Sequence, residues 1–166
     1  LIIGLRRLVL IAAIAAVVLV IIFYPLIVYT PIDLGKVSID LANVRLATGS
    51  VEDQKLSLSV TFALKNTNNF TLTTSRIDYE LFADGNSLGT DNLSYEDVPV
   101  NGRPPLFSGR PVQLSDDSFD IAYSDSTADV FNEILSNSSQ IDWAVTGSAV
   151  IESGTSFVTK EFSGSL

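Results

Sequence analysis

The chain has 166 residues and a mass of 17.9 kDa, room for one ordinary domain and an appendage. It contains no cysteine and no histidine, which excludes disulfides, the usual zinc and haem sites, and every catalytic centre built on an imidazole. Lys plus Arg is 10 and Asp plus Glu is 19; without Arg6 and Arg7, which precede the first apolar run, the remainder carries 8 against 19, a net charge of −11 that repels phosphate backbones and excludes nucleic acid as a partner.

Leu8 to Tyr29 contains no charged residue. As a helix these residues would span about 33 Å, the thickness of a bilayer's hydrocarbon core. Tyr24 and Tyr29 lie near one end, where aromatic rings favour the membrane interface, and Pro25 is expected to bend the last turn before Thr30-Pro31 ends it. Arg6 and Arg7 flank the amino side, whereas Asp33, a lone Lys36 and Asp40 follow the carboxyl side. The positive-inside rule then places the amino end in the cytoplasm and the rest outside a cell membrane crossed once, with lipid as the helix's partner. A cleaved signal would have a shorter apolar region with small residues at its end; here Ala12, Ala13, Ala15 and Ala16 stand at the start, as in an uncleaved signal anchor. Residue 1 is Leu, so the initiator is expected to have been removed or to lie outside this numbering. Residues 1–31 are read as the anchor and 32–166 as the domain.

After Pro31 the apolar period becomes two. Val37, Ile39 and Leu41 alternate, and Asn43 shifts the phase to Val44 and Leu46, which predicts a bulge. Leu56, Leu58, Val60, Phe62 and Leu64 alternate with polar or small residues, as do Ile77, Tyr79 and Leu81. Asp84-Gly85-Asn86 reads as a hairpin turn. Asn101 to Pro111 is the longest irregular stretch, expected to be a connection. Val112 and Leu114, then Phe119, Ile121 and Tyr123, predict a strand interrupted at Ser115-Asp116-Asp117. Ser126 to Asp129 offers a helix start, and Ala128, Phe131, Ile134 and Leu135 recur at helical spacing, a short helix packed on the core. Ile141, Trp143, Val145, Ala149 and Ile151, then Phe157 to Phe162, complete an all-β sandwich of about seven strands. Trp143 is expected at the centre of its core.

The acidic residues Asp116, Asp117 and Asp120, expected in a loop, lack the spacing of a calcium-binding hand and read as a solvated face; no metal or other cofactor is expected. Paired carboxylates hydrolyse glycosides only across a cleft, and no serine lies in a nucleophile motif, so no catalytic residue is assigned. Asn69, Asn92 and Asn137 head Asn-x-Ser/Thr sequons in or beside predicted turns, candidates for glycosylation in a domain outside the cell.

The tract from Val60 to Thr90 runs as an apolar strand, the turn Asn66-Thr67-Asn68-Asn69-Phe70, and a strand with Ile77-Asp78-Tyr79 before a short hairpin. It resembles the late-embryogenesis-abundant type 2 family, also called the water-stress and hypersensitive-response domain. The short helix, the strand from Trp143 to Gly147 and the closing EFSGSL are similar to that family's second half, so the resemblance covers residues 36–166. The departure is Thr67, where the family usually has Pro. The resemblance implies an immunoglobulin-like or fibronectin-III-like sandwich, no catalytic centre, and a role in desiccation or stress protection, often from a membrane anchor. The leading expectation is therefore a non-enzymatic, membrane-anchored module that binds or shields partners at the outer surface. A structural subunit of a filament like type IV pili or archaella is an alternative, in which Arg6 and Arg7 would sit in an apolar helical core at a cost of several kcal/mol unless paired. An accessory subunit of an integral membrane enzyme complex is the other.

Overall fold

Apolar residues on every side give the amino-terminal sequence no preferred face, and it forms one helix, α1, over Ile2–Val28, continuing past Pro25. The structure, a computed structural model, describes residues 2–28, 33–50, 54–124, 127–136, 141–154 and 156–166. Tyr29, Asn137 and Ser126 lie outside the described residues, as does the side chain of Arg6. The chain divides into two units, Leu1–Asp33 and Leu34–Leu166. In the first, Arg7–Tyr24 is long and apolar enough to cross a membrane, and none of that stretch is buried.

The second unit is mostly β and wholly antiparallel in its long pairings. Its strands are β1 (Val37–Ser50), β2 (Lys55–Asn66), β3 (Leu72–Ala83), β4 (Asn86–Ser94), β5 (Pro105–Leu106), β6 (Pro111–Ala122), β7 (Trp143–Ser153) and β8 (Ser156–Ser165), with one helix, α2 (Ala128–Leu135), between β6 and β7. One sheet has the order β1-β2-β6; the other has the order β4-β3-β7-β8, with the two-residue β5 also paired to β3. The expectation of about seven strands corresponds to the seven long ones. The predicted bulge is present, because Leu41 pairs with Phe62 and Asn43 with Thr61, leaving Ala42 unmatched. The β3–β4 loop has two residues, Asp84 (φ 49°) and Gly85 (φ 79°), the double positive φ that a hairpin of this twist requires.

The two sheets share one core. Leu56, Leu58, Val60, Phe62 and Leu64 of β2 and Ile77, Tyr79 and Leu81 of β3 are all buried. The Phe62 ring meets Tyr79 edge-on at 4.9 Å and Phe162 of β8 at 5.9 Å, while Tyr79 stacks on Phe119 of β6 at 5.8 Å. These contacts join the two sheets. Gly164 permits the sheets to approach closely, since a Cβ there would lie 3.0 Å from the Leu41 backbone nitrogen; within the larger sheet a Cβ on Gly147 would lie 2.2 Å from the Asp78 carbonyl oxygen of the neighbouring strand. Helix α2 buries Val130, Phe131 and Ile134, and Phe131 meets the Tyr123 ring edge-on at 5.2 Å. Thr127 stands at its N-cap, but its hydroxyl accepts from the Ser124 N–H and donates to the Ala122 carbonyl instead of capping the helix.

Several expectations need correction; Leu46 and Tyr123, read in phase with the inward apolar residues, are exposed, Tyr123 just past the end of β6. Trp143 is only partly buried, because it opens β7 opposite Ala83, where the sheet ends beside the β3–β4 turn and the core tapers. Asp116 and Asp117 do not interrupt a strand: β6 is continuous, and the extra residue is absorbed as a bulge, since Val60 pairs with Asp116 and Leu58 with Phe119.

Candidate functional site

The alternation that buries Ile77, Tyr79 and Leu81 sends Arg76, Asp78 and Glu80 to the opposite face of β3. Register then sets polar neighbours beside them. Asp78 lies between Asn92 of β4 and Ser148 of β7, with Glu161 of β8 beyond; Glu80 lies between Thr90 and Thr146. Together they line an open trough of about 600 Å³ on the outer face of the sheet. Arg76 donates from Nε to both carboxylate oxygens of Asp78 at 2.8 Å and pairs with Glu96 at 3.3 Å, and the Asp78 contact holds its guanidinium above the usual arginine pKa. Ser87 donates to Glu80 at 2.5 Å. What the trough offers a ligand is hydrogen bonding, from carboxylates, hydroxyls and an amide arrayed on a rigid sheet. The sequence contains the alternation on β3; the convergence with β7 and β8 depends on register and is not visible in it.

A second polar group lies under this sheet. The Tyr79 hydroxyl donates to Asp116 at 2.8 Å, and Asp116 also accepts from the Ser118 N–H and hydroxyl. Burial, then the Asp116 contact, pushes the Tyr79 phenol well above the ordinary tyrosine range. The acids expected in a loop are thus divided between the two faces of β6. Asp116 is buried and fully engaged, while Asp117 and Asp120 face outward and accept from Ser59 and Ser57 across the strand pair. Among the described residues, no three Asp or Glu side chains converge as a metal-binding group.

Two carboxyls are displaced in opposite directions. Hydrogen bonds from Lys55 and then Ser57 hold Asp120 below the usual carboxylate range, whereas burial pushes Asp91 above it. Asp120 therefore contributes stability that is present at neutral pH and is lost as pH falls through its lowered value. Asp91 contributes with the opposite sign: it opposes folding once ionised and is relieved as pH falls. Denaturant titrations of the chain from neutral to acid pH should show Asp120→Asn lowering stability at neutral pH and Asp91→Asn raising it. Both differences should vanish once both carboxyls are protonated.

The turn residues singled out in the sequence come together. Asn66 is fully buried; its Nδ2 donates to the carbonyls of Phe70 and Leu106 at 2.7 and 2.8 Å, and its Oδ1 accepts from the backbone N–H and the side-chain amide of Asn68 at 2.9 and 3.0 Å. Phe70 packs on the core, while Asn69 points outward. Asn92 is exposed but lies within β4 and not in a turn, because its sequon belongs to the alternating strand that pairs with β3. Arg7 and Tyr24 are exposed on α1.

No family model matches the chain, and no curated protein matches it in sequence. Solved structures do match in fold. AT1g01470 from Arabidopsis thaliana superposes with a TM-score of 0.50 at 10% identity, over 77% of this chain and 79% of that one. A protein from Archaeoglobus fulgidus gives 0.45 at 14% identity, over 76% and 94%. At2g46140.1, a protein proposed to be late embryogenesis abundant, gives 0.45 at 11% identity, over 96% and 88%. The chain thus shares its β fold with AT1g01470.

Proposed function

We propose that this chain is a membrane-anchored, non-enzymatic module of the late-embryogenesis-abundant type 2 kind, with an immunoglobulin-like or fibronectin-III-like sandwich outside the membrane. The observation that carries this reading is the division of the chain into two units of opposite character. Along Arg7–Tyr24 the helix leaves its apolar side chains uncovered and has only lipid, or neighbours within lipid, to cover them. The β unit instead encloses its own core and displays polar sheet faces. The family resemblance rests on Val60 to Thr90, and the hydrogen bonding of Asn66 gives that motif a structural purpose. The trough on β4-β3-β7-β8 is the surface we assign to binding or shielding partners, and exposed Asn69 and Asn92 are where glycans would be attached.

Two measurements test this. Protease added to intact cells should digest the β unit; protection until the membrane is opened would reverse the orientation. Residues 34–166 alone should form a soluble monomer that unfolds in one cooperative transition, because a fully buried large apolar side chain contributes about 1.5–3 kcal/mol and the core holds many. An isolated unit that folds only on mixing with other copies would favour a filament or complex subunit.

A further inference from the structure

The strands direct every loop of the β unit to one of two ends, and the ends differ. At one, Gly35 and Lys36 begin the unit: the Lys36 carbonyl accepts from the Thr67 N–H at 3.0 Å, and the Gly35 carbonyl accepts from Lys160. The β2–β3 turn, the segment carrying β5 and the β7–β8 turn share this end. Leu72 pairs with Leu106, Thr73 with both Pro105 and Glu152, and Glu152 with Phe157.

This end presents three large apolar side chains that the core does not use: Phe157 is 72% exposed, Phe107 49% and Val100 46%. Lys65 and Arg110 are exposed at the same end, flanking the start of β6 and its partner in β2, and the Arg110 N–H donates to the Phe107 carbonyl. Counting Lys36, Arg103 and Lys160, the end holds five of the eight cations that follow the helix, with Arg103 paired to Glu152 and with Glu96 and Asp97 exposed on the segment that carries Val100. The opposite end also exposes Tyr123 and Leu166, but sets them among Asp84, Asp120, Asp129, Glu133 and Asp142, against Lys55, which is paired to Asp120. Exposed phenylalanines set among Lys and Arg suit the boundary between lipid headgroups and acyl chains, and an acidic surface does not. Only residues 29–33 separate this end from α1 in sequence.

We infer that the end of the β unit carrying Val100, Phe107 and Phe157, with Lys65 and Arg110, is a membrane-contacting surface that rests on lipid headgroups. This assignment rests on the anchoring proposed above. The opposite, acidic end then points away from the bilayer.

The absence of cysteine makes the test direct, because any introduced thiol is the only one. The full chain would be placed in phosphatidylcholine nanodiscs with a nickel-chelating headgroup lipid, carrying one nitroxide at a time through Val18→Cys, Phe107→Cys, Phe157→Cys, Asn86→Cys or Asp129→Cys. The nitroxides at 107 and 157 should lose signal saturation to headgroup nickel, while those at 86 and 129 should not respond. Equal responses at both ends would overturn the assignment while leaving anchoring intact. A nitroxide at position 18 that is open to a water-soluble relaxant would overturn the anchoring, and the assignment with it. An effect at 107 and 157 that appears only when several copies share a disc would assign the patch to a second copy, and so overturn contact with lipid.

Discussion

Phe62→Ala is expected to destabilise the β unit by about 3–5 kcal/mol, the cost of removing a fully buried aromatic ring and leaving its cavity. The ring is completely buried and makes edge-on contacts with Tyr79 and Phe162, so its loss removes packing between the sheets as well as apolar burial. The core around it includes strand backbones held in register on both sides, which limits collapse into the space. Denaturant unfolding of residues 34–166 would measure the effect, with Phe62→Leu as the milder control. A loss below about 1 kcal/mol for Phe62→Ala would mean that the site repacks and that the two sheets do not depend on this contact. Trp143→Ala provides the contrast: with the indole only partly buried at the open end of β7, its cost should fall clearly below that of Phe62→Ala.

Asn66→Ala is expected to cost a similar amount for a different reason. The substitution removes little apolar area, but it strands the Leu106 carbonyl, the Phe70 carbonyl and the Asn68 N–H, at about 1–3 kcal/mol for each group that water cannot reach. Asn66→Asp separates the two halves of the side chain. It keeps the acceptor for Asn68 while setting a carboxylate oxygen against the two carbonyls, so it should be nearly as damaging at neutral pH and should recover in part as the carboxyl is protonated, because a single O–H can serve only one of the two carbonyls. Asn66→Ala variants that unfold at the same denaturant concentration as the parent chain would show that the turn is held by β2 and β3 alone.

These two residues also show how much could be read from the chain. The apolar alternation through Leu56–Leu64 identified β2 and placed Phe62 inward, because side chains on a strand point alternately to its two faces. The same periodicity located the bulge at Asn43, while the residues Asp84-Gly85-Asn86 marked the hairpin turn and a helical spacing of apolar residues marked the helix over Ala128–Leu135. Asn66 was marked by its likeness to a known turn, although nothing in the spacing showed that its amide bridges to Leu106, forty residues away.

Composition and local pattern therefore determined the apolar span, the long strands, the absence of thiol and imidazole chemistry, and most of the residues that face the core, though not β5 or the exposure of Leu46 and Tyr123. They misplaced Asp116, because a run of Ser and Asp resembles a loop until a bulge and the Tyr79 hydroxyl, from a strand of the other sheet, give the carboxylate a buried partner. They also overstated Trp143, because burial depends on how near the end of a sheet a residue lies, not only on its type and phase. The trough and the end that exposes Val100, Phe107 and Phe157 were decided by tertiary structure alone. Each is assembled from residues on three or more segments whose order in space follows from strand pairing and crossing, and hydrophobic periodicity along one strand carries no information about which strand lies beside it.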